Sequence, residues 1–502
     1  MRILWIDDEI DMFRPFIYAL KEKGYEVETA TNGPDGLALQ RASDFDLVLL
    51  DEIMTGMDGL EVLRRLKEAD PRLLVAMVTK SDQEDLINEA YGKLVDDFII
   101  KPFTPAQLLS VLKRLLEKQR LISGRIAQEY MAAVNQPRRL DSWDDWVEHY
   151  RSLTNWQRLL GRYADPALQQ VQNDRRFEAG NGFVRFVLEN YRAWLRGGGP
   201  VMSHQFIEHF VQPHWGDRPV YLIILDSMRL DQWDALQPLL ADCFDVATEH
   251  YCAMLPTATP YARNAIFAGL LPLDIARHYP KYWVYEDSGQ NRYEAELLNE
   301  LLKRLRFGAR HSYLKIARGD ELLPARNALL DRNIGFTAVV VNFLDLLIHS
   351  VRTTRLLDEI VPDDAALVGL TRVWFASSPV LEFLRDLSRR DCRVIVTTDH
   401  GFVRVRRPTL IHGSREISAN LRYKHGGALR AEERDALLLN NPADFALPTE
   451  VANLKFAIAK SDHYFIYPTK PREYERTYKH TFQHGGISME EMIVPVSVLT
   501  PR

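Results

Sequence analysis

The segment Val394-Ile395-Val396-Thr397-Thr398-Asp399-His400-Gly401-Phe402 constrains this chain more than any other. An unbroken β-branched run with no polar alternation predicts a strand buried on both faces, in a parallel or mixed sheet covered by helices. In open sheets of that kind, ligands lie beyond the carboxyl ends of the strands. This strand delivers an acid, an imidazole and a glycine to that position. Adjacent Asp399 and His400 offer oxygen and nitrogen donors, which suit a borderline cation such as zinc.

Other segments carry matching donors. Val220–Leu225 is a second buried run and ends in Asp226-Ser227-Met228-Arg229. Phe336–Val341 is a third, followed by Asn342-Phe343-Leu344-Asp345-Leu346-Leu347-Ile348-His349, in which Asp345 and His349 at i and i+4 share one helical face. Phe482-Gln483-His484-Gly485-Gly486-Ile487 precedes the strand Ile493–Leu499. Between them, Pro256-Thr257-Ala258-Thr259-Pro260-Tyr261-Ala262-Arg263-Asn264 opens a helix running toward Gly269. Thr259 reads as its N-cap and Pro260 as its first helical residue. The free N–H groups and dipole of such a helix end also favour a phosphate or an alkoxide. His204, His209 and His214 invite a metal reading too. Their spacing of five turns a helix by about 140°, so they do not share a face.

The chain has 502 residues, enough for two to four domains, and with 46% hydrophobic and 26% charged residues it has an ordinary globular composition. No stretch of about 18 apolar residues predicts a membrane span. Cys243, Cys252 and Cys392 are odd in number and far apart, which excludes a disulfide framework and fits a reducing cytoplasm. Residues 1–120 carry 16 Lys and Arg against 23 Asp and Glu, and the remainder is near neutral, so general DNA binding is not expected.

Within residues 1–120, short apolar strands at Arg2–Ile6, Leu47–Leu50, Leu73–Val78 and Phe98–Ile100 alternate with helical patterns, which implies a parallel doubly wound sheet. Asp7, Asp8 and Asp51 fall just past two strand ends and would converge. Three close carboxylates repel unless a cation neutralises them, and an all-oxygen set favours Mg²⁺. The signatures WIDDE, LVLLDEIMTGMDG, VAMVTKS and FIIKPF make the whole segment resemble the receiver domain of two-component response regulators. That resemblance implies Asp51 as phosphoacceptor, Mg²⁺ held by Asp7, Asp8, Asp51 and the Ile53 carbonyl, Thr79 and Lys101 on the phosphoryl oxygens, and Phe98 as the switch aromatic. It also implies a cis Lys101–Pro102 bond. Thr55 stands where the family usually has proline, a difference read as bearing on loop stiffness and not on the chemistry.

Residues 121–199 are read as a helical bundle connector: Trp143, Trp146, Tyr150, Leu153, Trp156 and Leu160 form one apolar stripe, and Phe183, Phe186, Val187, Tyr191 and Trp194 another. Arg196-Gly-Gly-Gly-Pro200 ends it.

Residues 200–502 resemble the PglZ branch of the alkaline phosphatase superfamily through VYLIILDSMR, LPTATPYARNAIFAG, NFLDLLIHS, VTTDHGF and HGGISMEEMIVP. The stretches 270–335 and 402–480 are left without guidance. The resemblance implies an α/β fold with two zinc ions, manganese being the alternative. One ion takes Asp345, His349 and His484, the other Asp226, Thr259, Asp399 and His400. Thr259 is the implied nucleophile, with Thr257 as the competing assignment. The basic run Arg404, Arg406, Arg407, Arg415, Arg422, Lys424 and Arg430, with Tyr423 and Phe402, reads either as an oligonucleotide contact or as a solvated face. Arg263 and Asn264 read either as phosphoryl-orienting groups or as packing partners.

A receiver, a helical connector and a PglZ domain together are similar to the response regulators of type IX secretion. That implies a sensor histidine kinase as partner, a phosphorylation-dependent homodimer, and phosphodiesterase activity on cyclic or linear oligonucleotides. The competing class is a non-enzymatic regulator whose zinc domain binds a protein such as a sigma factor. A structural zinc needs four closed ligands. The open trio Asp345, His349 and His484, with Thr259 retained, favours the enzyme.

Overall fold

The computed structural model describes residues 1–43, 45–70, 73–80, 95–136, 138–163, 166–216, 218–285, 289–318, 321–331, 333–350, 357, 360–413, 420–451 and 453–502. These fall into two compact units, one of residues 1–137 with 156–170, the other of 138–155 with 171–502. The connector read as one bundle is therefore divided. The helices Trp143–Tyr163 and Pro166–Trp194 each contribute residues to both units. Position 120 lies inside a continuous helix, Pro105–Val134, whose start Thr104 and Gln107 cap reciprocally.

The first unit holds a five-stranded, all-parallel sheet in the order Glu26–Ala30, Arg2–Ile6, Leu47–Asp51, Leu74–Thr79, Asp97–Ile100. Leu47–Leu50 is fully buried because helices cover both faces, as its unbroken apolar run predicts. Parallel pairing sends every carboxyl end to one edge. The Lys101–Pro102 bond is cis.

The second unit is built on a six-stranded mixed sheet in the order Phe244–Cys252, Ile493–Pro501, Arg393–Thr397, Val220–Leu225, Ile334–Val341, Arg310–Ile316. The last four strands run parallel, with Thr397 opposite Ile224 and Leu225 opposite Val341. This register brings the residues after Thr397, Leu225 and Val341 to the same edge. Ile493–Pro501 runs antiparallel to both neighbours, with Val496 opposite Thr397 and Ile493 opposite Cys252. Its amino end, and the carboxyl end of Phe244–Cys252, therefore reach that edge too. The aromatic stripes meet the sheet's core: Trp146, Tyr150, Phe183, Val187 and Tyr191 are buried in one cluster with Leu222, Ile224, Ala265 and Ile493. Among the described residues, no single helix is long and apolar enough to cross a membrane.

The two stretches without sequence guidance acquire structure. Residues 270–335 supply the edge strand Arg310–Ile316 and the helix Glu294–Arg304, and 402–480 supply small sheets, among them Tyr423–Gly426 and Ala436–Leu439 paired with Lys455–Ala459.

Candidate metal centre and receiver pocket

At the common edge of the large sheet, two trios of ligand-type atoms form. Asp345, His349 and His484 make one, and Asp226, Asp399 and His400 the other, each with donor atoms within 4.8 Å of one another. In the first trio, His349 Nε2 and His484 Nε2 are 3.3 Å apart, and Asp345 Oδ1 lies 3.4 Å from the former and 3.6 Å from the latter. A tetrahedral shell with zinc-like bond lengths near 2.05 Å has edges of about 3.3 Å, so these atoms already outline one face of it. His349 retains 47% of its side-chain exposure while His484 is buried, so the trio is open on one side.

In the second trio, His400 Nδ1 lies 3.0 Å from the Gly401 carbonyl. That contact requires a proton on Nδ1 and leaves the Nε2 lone pair free to ligate. Nε2 is 3.5 Å from Asp399 Oδ2 and 3.2 Å from Thr259 Oγ1. Buried Asp226 Oδ1 and Asp399 Oδ2 have no hydrogen-bond partner, the condition a bound cation relieves. The trios adjoin, since the rings of His400 and His484 stack with centroids 4.5 Å apart. The residues present fit a pair of zinc ions.

Charge in this cluster follows from burial. Desolvation pushes the Asp226 carboxyl up to about 8, opposed by the Arg263 guanidinium, and raises Asp399 as well. Burial depresses the His400 imidazole and takes His484 well below its usual value, leaving both neutral, the form that ligates. Burial would raise Asp345, but the hydrogen bond from His349 and the neighbouring imidazoles win and hold it low. His349 is correspondingly raised by Asp345.

Several expectations are corrected here. The N-cap of helix Thr259–Ala268 is Ala258, and Thr259 is the first helical residue, because its hydroxyl faces His400 in place of capping the helix. Thr257 is fully buried. It donates to the Gly486 carbonyl at 2.8 Å and accepts from Gly485 N–H at 3.2 Å, so its hydroxyl is committed to the His484 loop. Arg263 is also fully buried, paired at 2.6 Å with both Asp226 and Glu294, and Asn264 donates to the Gln290 carbonyl at 3.0 Å, which makes both packing partners. Arg422 and Lys424 are fully buried and belong neither to a solvated face nor to a strand-binding groove. Arg415 lies outside the described residues.

The sequence reading missed Ser227. Its N–H donates to Asp399 Oδ1 at 3.3 Å and its hydroxyl to Asp345 Oδ1 at 3.0 Å, bridging the two trios. It does so from a left-handed backbone (φ 62°), a strained conformation that clusters at functional sites. Its only sequence signal was its place directly after Asp226.

In the first unit, Asp7, Asp8 and Asp51 converge, with Lys101 Nζ 2.7 Å from Asp51 Oδ1 and 3.0 Å from Asp7 Oδ2. Burial raises the Asp51 carboxyl against the pull of Lys101. Burial also works against the charge of Lys101, but its bonds to Asp51 and Asp7 outweigh that and raise it. Thr79 donates to Glu52, Phe98 is half-buried on the edge strand Asp97–Ile100, and Ile53 is exposed. Thr55 does touch the chemistry. Its N–H and hydroxyl donate to Asp8 Oδ2 at 2.9 and 2.6 Å and lower that carboxyl. Proline supplies neither donor.

Comparison with known proteins agrees with this division. The response regulator receiver domain matches residues 3–113, the PorX response regulator linker domain residues 119–195, and the BREX system PglZ alkaline phosphatase-like domain residues 206–499. The chain is 31% identical over 117 residues to the transcriptional regulatory protein ResD of Bacillus subtilis, covering 23% of this chain and 48% of ResD. It is 35% identical over 128 residues to the alginate biosynthesis transcriptional regulatory protein AlgB of Pseudomonas aeruginosa, covering 26% and 28%. The response regulator ArlR of Staphylococcus aureus is 31% identical over 119 residues, covering 24% and 53%. The chain thus spans about half the length, or less, of these curated relatives. The solved receiver domain of NtrX from Brucella abortus is 33% identical, covering 23% of this chain and 98% of that one, with a TM-score of 0.22. A receiver domain protein from Methanospirillum hungatei is 31% identical, covering 24% and 95%, with a TM-score of 0.23.

A receiver domain followed by an alkaline phosphatase-like domain defines a response regulator with an output of a metal-dependent hydrolase superfamily. With the linker between them, the chain belongs to the PorX-type response regulators. A receiver implies a cognate sensor histidine kinase.

Proposed function

We propose that phosphorylation of Asp51 controls a two-zinc phosphodiesterase that acts on cyclic or linear oligonucleotides in the regulation of type IX secretion. The reading rests on one observation above all: the Thr259 hydroxyl lies 3.2 Å from His400 Nε2, beside two adjoining ligand trios. In this reading Asp345, His349 and His484 would hold one ion, and Asp226, Asp399 and His400 would hold the second with Thr259. The pair of ions would supply Lewis-acid chemistry there, lowering the pKa of the Thr259 hydroxyl and neutralising charge on the attacking and departing oxygens of an in-line displacement. Thr259 Oγ1, its proton released to water, attacks phosphorus as the P–O ester bond breaks and the departing oxygen takes a proton from water to leave as an alcohol; water then cleaves the phosphothreonine, releasing the phosphate product and restoring the hydroxyl. Thr259 starts its helix, so the positive end of the helix dipole favours the negative charge that develops there. The exposed flank of His349 is the open face through which substrate and water enter, which weighs against a closed structural zinc.

In the receiver, Asp7, Asp8 and the Ile53 carbonyl would hold Mg²⁺ beside Asp51, Thr79 and Lys101 would take the phosphoryl oxygens, and Phe98 would follow Thr79. The acyl phosphate adds negative charge and biases a homodimer in the cytoplasm. Sedimentation velocity of the full chain with beryllofluoride and Mg²⁺ is expected to double the mass; an unchanged mass removes the dimer from the scheme. For the output, Thr259→Ala is expected to lower turnover of bis(p-nitrophenyl) phosphate about a thousandfold or more with both zinc ions retained. Retained turnover in that variant rules out Thr259 as nucleophile. Wild-type hydrolysis of p-nitrophenyl phosphate alone rules out the diesterase.

A further inference from the structure

One helical turn lies behind both ligand trios. Ser488 caps the short helix Met489–Met492, and two adjacent glutamates on it face different parts of the unit. Glu491 is fully buried. Its carboxylate takes Arg422 Nη2 at 2.5 Å, Gly486 N–H at 2.8 Å and the Ser488 hydroxyl at 2.7 Å. Gly486 follows His484 by two residues, and a Cβ there would meet Arg422 Nη2 at 2.2 Å. The main chain of the same turn supports the other loop. Gly401 N–H donates to the Glu491 carbonyl at 3.1 Å, and a Cβ on Gly401 would fall 2.0 Å from the Glu490 carbonyl oxygen. Gly401 is in turn the residue whose carbonyl fixes the His400 tautomer. The placement of Ser488–Met492 therefore sets that of His400 and His484 together.

Besides Met489 and Met492 in the core and the Met492 carbonyl, which accepts from Ala253 N–H, the turn has one charged handle facing the linker helix, the Glu490 side chain. Its Oε1 pairs at 2.7 Å with Arg176 Nη2, both side chains being under one-fifth exposed. Arg176 sits on the helix Pro166–Trp194, within the segment matched by the linker domain. We propose that Arg176 is a positioning residue for the metal centre. Through Glu490 it fixes where the Ser488–Met492 turn sits, and so the mutual registry of His400 and His484. The linker helix thereby regulates the zinc site, an inference that rests on the two-zinc reading above. It makes no contact with substrate. Ligand-orienting groups outside the metal shell typically change metal affinity 10- to 100-fold.

The test is zinc affinity of the full chain, measured by competition with a chromophoric chelator, alongside kcat and KM for a diester. Arg176→Met and Glu490→Gln are expected to weaken both zinc sites about tenfold and to lower kcat with little change in KM. The reciprocal swap, Arg176→Glu with Glu490→Arg, restores most of the affinity. Arg192→Met serves as control, because Arg192 lies on the same helix and pairs with Asp444 at the surface. Wild-type zinc affinity in both single variants, whatever their melting temperature, overturns the proposal. If both singles fail to fold, the swap decides: weak zinc binding in a folded swap overturns it equally. Wild-type protein that binds no zinc defeats the two-zinc reading and this inference together, whereas two bound ions with insensitive variants defeat this inference alone.

Discussion

Thr257 and Thr259 stand two residues apart, the one before a helix and the other at its first turn, and do opposite work. Thr257 spends its hydroxyl on Gly485 and Gly486, and Thr259 turns its own toward His400. Thr257→Val is therefore expected to leave a buried N–H and C=O unpaired, at a cost of about 2 kcal/mol in stability. It should also loosen the His484 loop and weaken zinc binding, while Thr257→Ser stays close to wild type. Denaturant unfolding and zinc titration of the two variants check this. If Thr257→Val abolishes turnover while zinc stays bound, and Thr259→Ala does not, the roles are reversed. At this scale the sequence was half legible. Acids and imidazoles at strand ends announce themselves, because such residues are otherwise rare in buried positions. Ser227 and Arg422 did not, since a serine in a left-handed turn and an arginine locked on a distant glutamate look like surface residues until Asp399, Asp345 and Glu491 are placed around them.

At the scale of elements, the parallel strands Arg393–Thr397, Val220–Leu225 and Ile334–Val341 were legible as unbroken apolar runs, and parallel pairing made a shared ligand edge foreseeable. Strand order was not, because pairing between residues hundreds of positions apart leaves no local trace. The edge strands Phe244–Cys252 and Arg310–Ile316, with exposed or half-buried alternate positions, gave a weaker signal. The loop after Asp226 is tied to the helix Asp364–Ala376 by a mostly buried charge cluster in which Arg229 pairs with Asp231 and Asp364. Burial works against the Asp364 carboxylate, but Arg229 and Arg176 outweigh it and hold its pKa below the ordinary 3.8. A depressed folded value means its contribution is fully present above the unfolded value and drains as pH falls from there through the folded one. Asp364→Asn is expected to cost about 3 kcal/mol near neutral pH, because Arg229 keeps a buried charge with half its partners gone. The deficit should shrink toward pH 3. A deficit independent of pH in denaturant titrations contradicts the ion-pair origin.

For the molecule as a whole, the order of receiver, linker and PglZ domain was legible from motifs, and the three matched segments repeat it. The fate of the connector was not. Aromatic stripes at helical spacing predict that helices bury a face, but not against what, and Trp146, Phe183 and Tyr191 bury theirs against the sheet's own core. The receiver pocket and the two trios share one principle: carboxylates gathered past parallel strand ends need cations, Lys101 with the proposed Mg²⁺ in one case and Arg263 with the proposed zinc in the other. Anomalous diffraction at the zinc edge, on crystals of the full chain grown with zinc, tests that claim most directly. Two peaks about 4 Å apart are predicted, one among Asp345, His349 and His484 and the other among Asp226, Asp399 and His400, within reach of Thr259. A single ion closed by four protein ligands, or no peak at either trio, contradicts it.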